Sequence, residues 1–504
     1  MKWVLAAGLL GCVWLTTPAT AAERYDLVIS DGQVMDPESG LRAVRTIGVK
    51  DGKIAAISEG ALTGARTINA KGKIVGPGFI DLHAHGQSLL AGRVQAFDGV
   101  TTAIEAEAGQ FPVDKAYRNA AQEGRATNYG FTVSWNLARA VVLAGVEVDG
   151  TWKGGEKARL NEEGQRAATA PEVERILALL DQGLDQGAPG IGLALGYMPG
   201  AQAEEVFAVS QLAARRNAEI FTHIRSTTPD FSGTEEVIAN AVSTGAHWHI
   251  MHVYWNSPAQ MELIAGAMKA GAPITPETKG LLTGSTFVGA PFMRPEAMKK
   301  MGKTPDLLYY GRHVTTFEEL AEIQAKDPDA LIINLHKLTD DNDVRLREET
   351  ARRIRTPGWT LASDAMPWTN FKGDRLPSDL WPLPADAWAH PRSAGNFTRV
   401  IQKYVMEWKL VDMMDVFRAA SLNPALELER HVPMMRAKGR VKVGADADLL
   451  VFDPVAVRAV ATERKPGALS VGMDYVIVNG AVVIDNGKLD VRALPGRPIL
   501  NTPR

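Results

Sequence analysis

The sequence predicts an α/β chain: a (β/α)₈ barrel with a small β-sandwich domain built from both chain ends. Three features carry that reading. Between about Phe79 and Val432, apolar strand candidates alternate with helical text, the pattern of a parallel α/β architecture. Both chain ends instead consist of short strands and Asp-Gly or Asn-Gly turns. Residues with metal-ligand or acid-base chemistry close several apolar stretches, where barrels carry their functional groups.

The first end reads as Tyr25–Ile29, a hairpin turn at Asp31-Gly32, Val44–Val49, a second turn at Asp51-Gly52, and Lys53–Ile57. The last end repeats that grammar with Ala447–Phe452, Tyr475–Val478 and Val482–Ile484, punctuated by Asn479-Gly480 and Asn486-Gly487. One small domain over residues 23–76 and 433–504 explains both, since chain ends commonly lie close together. The barrel then occupies residues 77–432.

Residues 1–22 read differently. Lys2, the apolar run Trp3–Leu15 and Ala19-Thr20-Ala21 form the charged start, core and cleavage site of a secretory leader. Cleavage after Ala21 or Ala22 would give a periplasmic or secreted chain lacking cysteine, because Cys12 lies in the leader. Leu9-Leu10-Gly11-Cys12 faintly resembles a lipoprotein box, and lipidation there is the one route to a membrane. Net charge is −3 with both signs interspersed, which gives no electrostatic case for nucleic acid or an anionic membrane surface. The expected partner is a small molecule.

Within the barrel region the strand candidates open at Phe79. They continue with Val100–Glu107, Tyr129–Trp135, Ile191–Tyr197, Glu219–His223, His247–His252, Pro273–Glu277, Leu331–Leu335 and Trp359–Asp364. That is one more than eight. Leu331–Leu335 is the suspect, because it falls in an interval of Pro-, Gly- and Met-rich text over about 281–358 that reads as an insertion, such as a lid.

The functional candidates centre on His83-Ala84-His85. Side chains two apart on extended backbone point the same way, so these imidazoles can share a cation. His223 and His252 stand one strand-helix repeat apart on adjacent strands. Two divalent ions would need a shared anion. The fourth strand has no lysine to supply a carboxylated one, whereas the second offers Glu105 and Glu107. Glu107 is the candidate ligand, and Glu105 is a supporting partner of a histidine or an alternative ligand. The metal set is therefore His83, His85, Glu107, His223 and His252, with Zn²⁺ in one or two copies or another first-row divalent ion. Asp364, at the eighth strand end, is the candidate proton shuttle. His249 is expected to be structural, and His390 is the least ordinary of the remaining histidines.

Pro77-Gly78-Phe79-Ile80-Asp81-Leu82-His83-Ala84-His85, Gly99-Val100-Thr101-Thr102 and Lys442–Leu449 resemble the motifs of the amidohydrolase superfamily. Gly196-Tyr197-Met198-Pro199-Gly200 and His390-Pro391-Arg392 through Arg399-Val400 are similar to elements of D-aminoacylases, with one departure. The strand-two cysteine of that family falls at Ala108-Gly109 here, beside Glu107. The resemblance implies zinc-dependent hydrolysis of a linear amide, as in deacylation of N-acyl-D-amino acids. The alternatives are a cyclic-amide hydrolase of the dihydroorotase or hydantoinase kind and a catalytically silent binding protein. An N-acyl amino acid needs a cation or hydroxyl for its carboxylate. Tyr197, Arg225, Lys279 and Arg392 are the candidates, and Trp248, Trp255, Trp359, Trp368, Trp381 and Trp388 could line an apolar pocket.

Overall fold

In the computed structural model, residues 24–225, 232–253 and 258–501 are described. Residues 1–23, which hold the expected leader and Cys12, and Trp255 lie outside them. Among the described residues no helix is long and apolar enough to cross a membrane.

The two chain ends meet as the turn grammar requires. Five strands (Arg24–Met35, Arg42–Lys50, Lys53–Ser58, Thr63–Asn69, Ile74–Pro77) and four late ones (Leu449–Phe452, Met473–Val478, Ala481–Asp485, Lys488–Leu489) form one nine-stranded sheet. The seam is antiparallel, Ile74–Pro77 against Leu449–Phe452. A bridge between Lys53 and Asp446 brings the far edge back to the chain entering Leu449. The sheet thus curls over one core that includes Leu27, Ile47, Ile54, Val75, Leu449 and Ile477.

One turn was misread. Asp31-Gly32 does not reverse the chain; it is a bulge inside the single strand Arg24–Met35, and the reversal comes between Met35 and Arg42. Asp31 has φ 58°, and a Cβ on Gly32 would sit 2.3 Å from Val75 Cγ2. Bulges and tight turns ask for the same residues, so the dipeptide does not distinguish them. The bulge lets this strand pair with Thr63–Asn69 before it and Ile74–Pro77 after it. The other three turns reverse the chain as expected, each beginning on a residue with positive φ.

The barrel strands are Phe79–Asp81, Val100–Gln110, Asn128–Ser134, Gly190–Ala194, Glu219–His223, His247–Ile250, Ile274–Lys279 and Thr360–Ala362, all parallel and in chain order. Between the first and eighth strands, Asp81 staples the closure. Its carboxylate accepts from Ser363 N at 3.0 Å, His83 N at 3.2 Å and Gln95 Nε2 at 3.2 Å, and also takes the Ser363 hydroxyl. Beyond it, His85 N donates to Ala365 O at 2.8 Å.

Leu331–Asn334 is the middle strand of a separate three-stranded sheet with Gly284–Phe287 and Leu308–Tyr309. Being covered by its own core of Val288, Met298, Leu308, Val314, Leu320 and Ile332, it reads like a barrel strand. Helix Val344–Arg355, inside the expected 281–358 interval, packs on the seventh strand, so the excursion ends before it. The 433–504 segment is also not purely small-domain. Near its end Ile499 N donates to Tyr129 O at 2.7 Å, and Ile499 is buried with Ile80, Ile104 and Phe221.

Replacing Asp81 by alanine removes the acceptor for four buried donors. The expected cost is about 3 kcal/mol, read by denaturant unfolding with far-UV circular dichroism preserved. An unchanged unfolding midpoint would show that the staple does not hold the barrel closed.

Candidate metal centre

Local irregularity in the second strand builds the centre. Its pairing with the third strand jumps from Glu105–Phe131 to Gln110–Val133, so Ala106–Gly109 swell out as a bulge. Thr132 Oγ1 donates to Ala106 O at 2.7 Å, and Gly109 takes φ 60°. Gly192 on the fourth strand leaves the space: a Cβ there would lie 2.6 Å from the carbonyls of both Ala106 and Glu107.

The bulge gives the two glutamates different tasks. Glu107 Oε2 lies 3.4 Å from His83 Nε2 and 3.3 Å from His85 Nε2. Its Oε1 lies 3.1 Å from His223 Nδ1 and 2.8 Å from His252 Nε2. One carboxylate therefore faces two histidine pairs, one oxygen to each. Glu105 stands behind, its Oε1 2.7 Å from His85 Nδ1 and its Oε2 accepting from Gly86 N at 2.9 Å. Glu107 is the bridging candidate and Glu105 the support.

The donor set fits a divalent cation. Glu277 Oε1 is 3.0 Å from His83 Nδ1 and Glu105 Oε1 2.7 Å from His85 Nδ1, so each ring's outer nitrogen is engaged by a carboxylate. The two Nε2 atoms are left aimed at each other, 3.0 Å apart, with Glu107 Oε2 against both. Converging nitrogens and a carboxylate oxygen are what a first-row metal requires, and the Nδ1 contacts fix the ligating tautomer. Two triads have ligand atoms within 4.8 Å of one another: His83, His85, Asp364 and His83, Glu107, His252. Burial works against charge on His85, but Glu105 and Glu107 outweigh it and raise it to about 9. Burial also opposes ionisation of Glu107, yet His252 and His83 hold it well below the carboxylate range.

Asp364 lies just beyond the eighth strand with φ 55°. Its Oδ1 is 3.4 Å from His83 Nε2 and 3.5 Å from His85 Nε2. Its Oδ2 receives Lys279 Nζ and Arg392 NH2, both at 2.7 Å. Burial disfavours its charge, but Arg392 and Lys279 overcome that and keep it ionised.

This corrects two expectations. Lys279 and Arg392 do not line the cavity for a substrate carboxylate; both are buried and spent on Asp364, and Arg392 also donates to the carbonyls of Asp364 and Thr283. His390 is buried against Thr283 Oγ1 at 3.0 Å and accepts from Arg392 N, so it positions that arginine. His249 is structural, between Glu277 and Glu427.

Above the centre lies a cavity of about 400 Å³. Tyr197 and Arg225 do line it. Tyr197 is bonded to Thr286 Oγ1 at 2.8 Å, and Arg225 is clamped to Glu236 at 3.0 Å on two nitrogens. Of the described tryptophans among the six candidates, Trp248, Trp359, Trp368 and Trp381 belong to apolar clusters and Trp388 is buried against Tyr309 and Phe371; the aromatic walls are instead Trp152, Phe287 and Phe292. Sequence reasoning also missed Glu277, Arg159, Lys303 and His336. Glu277 carried a signal, an acid inside an apolar strand; the others sit in irregular text with none.

Two results are expected. Glu107→Gln, with one oxygen ligand lost, should bind fewer metal ions per chain, whereas Glu105→Gln should keep the stoichiometry but weaken affinity about 10–100-fold; metal analysis and competition titration distinguish them. Identical behaviour would undo the division of labour. Because neutral imidazole ligates and His85 holds a proton to about 9 without metal, zinc affinity of the stripped protein should climb with pH from 6 to about 9. Calorimetry in buffers of different ionisation enthalpy would show protons released on uptake, and a flat profile would contradict it.

Comparison with known proteins agrees with this geometry. Residues 66–304 match the Amidohydrolase family. The chain is 28% identical to an N-acyl-D-glutamate deacylase of Alcaligenes xylosoxydans xylosoxydans, over 94% of this chain and 96% of that one. It is 25% identical to a D-aminoacylase of the same organism, over 92% and 95%. Among solved structures it resembles N-acyl-D-glutamate deacylase of Bordetella bronchiseptica complexed with zinc and a phosphonate mimic of the tetrahedral intermediate. That likeness has a TM-score of 0.72 and 25% identity over 95% of this chain and 100% of that one. The barrel and the histidines and carboxylates at its strand ends agree with these likenesses: the chain is similar to amidohydrolases, D-aminoacylases and N-acyl-D-glutamate deacylases among them.

Proposed function

We propose that this protein is a zinc-dependent hydrolase of a linear amide, deacylating N-acyl-D-amino acids or a related D-configured amide. The observation that carries the reading is the single Glu107 carboxylate set between two histidine pairs, with ionised Asp364 at their edge and a cavity above.

A divalent cation held by His83, His85, Glu107, His223 and His252 would supply charge that polarises a carbonyl and acidifies water. The chain's own residues do the rest. Asp364 turns Oδ1 toward the histidine nitrogens while Lys279 and Arg392 occupy Oδ2, so one oxygen is free to take the proton of an attacking water. The same oxygen then delivers that proton to the departing amide nitrogen, which must leave as an amine. Glu277 and Glu105 keep the His83 and His85 rings oriented throughout. The cavity wall of Trp152, Phe287, Phe292 and Met293 excludes water and offers an apolar surface to the acyl group.

The relatives that act on N-acyl-D-amino acids span nearly the whole chain, whereas a dihydroorotase of Streptococcus pneumoniae matches only 17% of it. The test is a substrate screen of the zinc-loaded protein with N-acetyl-D-amino acids, N-acetyl-L-amino acids and cyclic amides, with and without chelator. Chelator-sensitive release of the D-amino acid is expected, and Asp364→Asn should lower kcat by about 10²–10⁴ with metal retained. Cleavage confined to cyclic amides, or metal binding without hydrolysis of any of them, would reject the reading.

A further inference from the structure

The cavity lining contains three side-chain cations, Arg159, Arg225 and Lys303. Arg225 is held by Glu236 and by Ala201 O at 2.8 Å. Arg159 donates to Gly109 O at 2.7 Å and lies over the Trp152 ring at 4.3 Å. Lys303 is half-buried, and its ammonium has no carboxylate or carbonyl partner among the described residues. The described acids on the lining are Glu107 and Asp364, both engaged in the metal centre. Among the described residues the outer cavity is therefore cationic, with one ammonium uncommitted.

We propose that Lys303, with His336 beside it, receives a carboxylate carried on the amine side of the scissile amide. The inference rests on the amide-hydrolase reading for the identity of the bond and on the cavity for the charge. A partly buried ammonium without an anion is destabilised, and an incoming carboxylate removes that penalty while forming a charge-assisted hydrogen bond. Burial alone presses Lys303 below its ordinary value, the mark of a cation lacking an internal partner. His336 lies close enough to feel both Lys303 and Lys279, and burial with those two charges holds it at about 4. It is thus a neutral ring on the same cavity lining as Lys303 and Asp364. Lys303 and His336 both come from the insertion, so recognition is assigned to the inserted segment and chemistry to the barrel.

The experiment measures binding, by calorimetry or as KM, to the zinc-loaded protein. The ligands are N-acetyl-D-leucine, N-acetyl-D-leucinamide, and N-acetyl-D-isoglutamine, which keeps only a side-chain carboxylate. The unaltered protein should prefer a carboxylate-bearing ligand over N-acetyl-D-leucinamide by about tenfold or more. Lys303→Met should abolish that preference while leaving leucinamide binding unchanged, and Lys303→Arg should restore part of it. Lys303-dependent preference for N-acetyl-D-leucine locates the α-carboxylate there, and for the isoglutamine the side-chain carboxylate; either upholds the proposal. A preference that survives in Lys303→Met, or equal losses for carboxylate and amide, overturns it. If none of the ligands is hydrolysed, the amide-hydrolase reading fails, while the carboxylate preference still decides the role of Lys303.

Discussion

Everything at the functional end of this barrel depends on keeping one carboxylate, Glu107, ionised in a site with little access to water. Burial opposes its charge, and the four histidines that surround it oppose burial. The second strand breaks its regular pairing at this point, and the bulge over 106–109 carries Glu107 to both histidine pairs while Glu105 stays behind His85. The bulge is tolerated since Gly192 has no side chain and Thr132 satisfies a displaced carbonyl. A glycine on the fourth strand thus leaves the room that the bulge carrying Glu107 needs.

Support for the ligands extends through the barrel rather than stopping beside them. His83 is held by Glu277, whose second oxygen lies 3.6 Å from His249; His249 in turn lies 3.7 Å from Glu427. Glu427 accepts from Thr275 Oγ1 and Arg430 NH2, both at 2.8 Å. Each buried charge has an opposite or hydrogen-bonding neighbour, as low-dielectric surroundings demand. The orientation of His83 is consequently tied to a helix that follows the last barrel strand. Asp81, which joins the first and eighth strands just below His83, ties the same ligand to the barrel's closure.

The legible parts of this protein were those governed by periodicity. Eight strand ends, the extra strand at 331–334 and the convergence of His83, His85, His223 and His252 on Glu107 all follow from apolar runs and the residues that terminate them. Glu107 could be preferred to Glu105 from position, but the reason, a four-residue bulge, left no trace except Gly109. Charged residues at element ends were less readable. Lys279 and Arg392 stand where substrate-binding cations would stand, yet their charge is needed by Asp364, and a linear sequence cannot show which of two anions a cation will choose. Asp31-Gly32 failed for a related reason, because a turn and a bulge share one local conformation and are separated only by what pairs outside it.

That same competition for counter-ions distinguishes the walls of the cavity. A cation paired inside the protein is part of the scaffold, and its removal exposes an unpaired internal acid. A cation left unpaired against a cavity has its complement outside the protein. Arg225 belongs to the first kind through Glu236, and Lys279 and Arg392 through Asp364. Lys303, without a carboxylate partner among the described residues, is the one we propose for the second. Because it is carried by the insertion and not by a barrel strand, the insertion can vary the anion it recognises without disturbing the ligands. The barrel's buried network fixes the reaction, and the inserted sheet is free to choose what is brought to it.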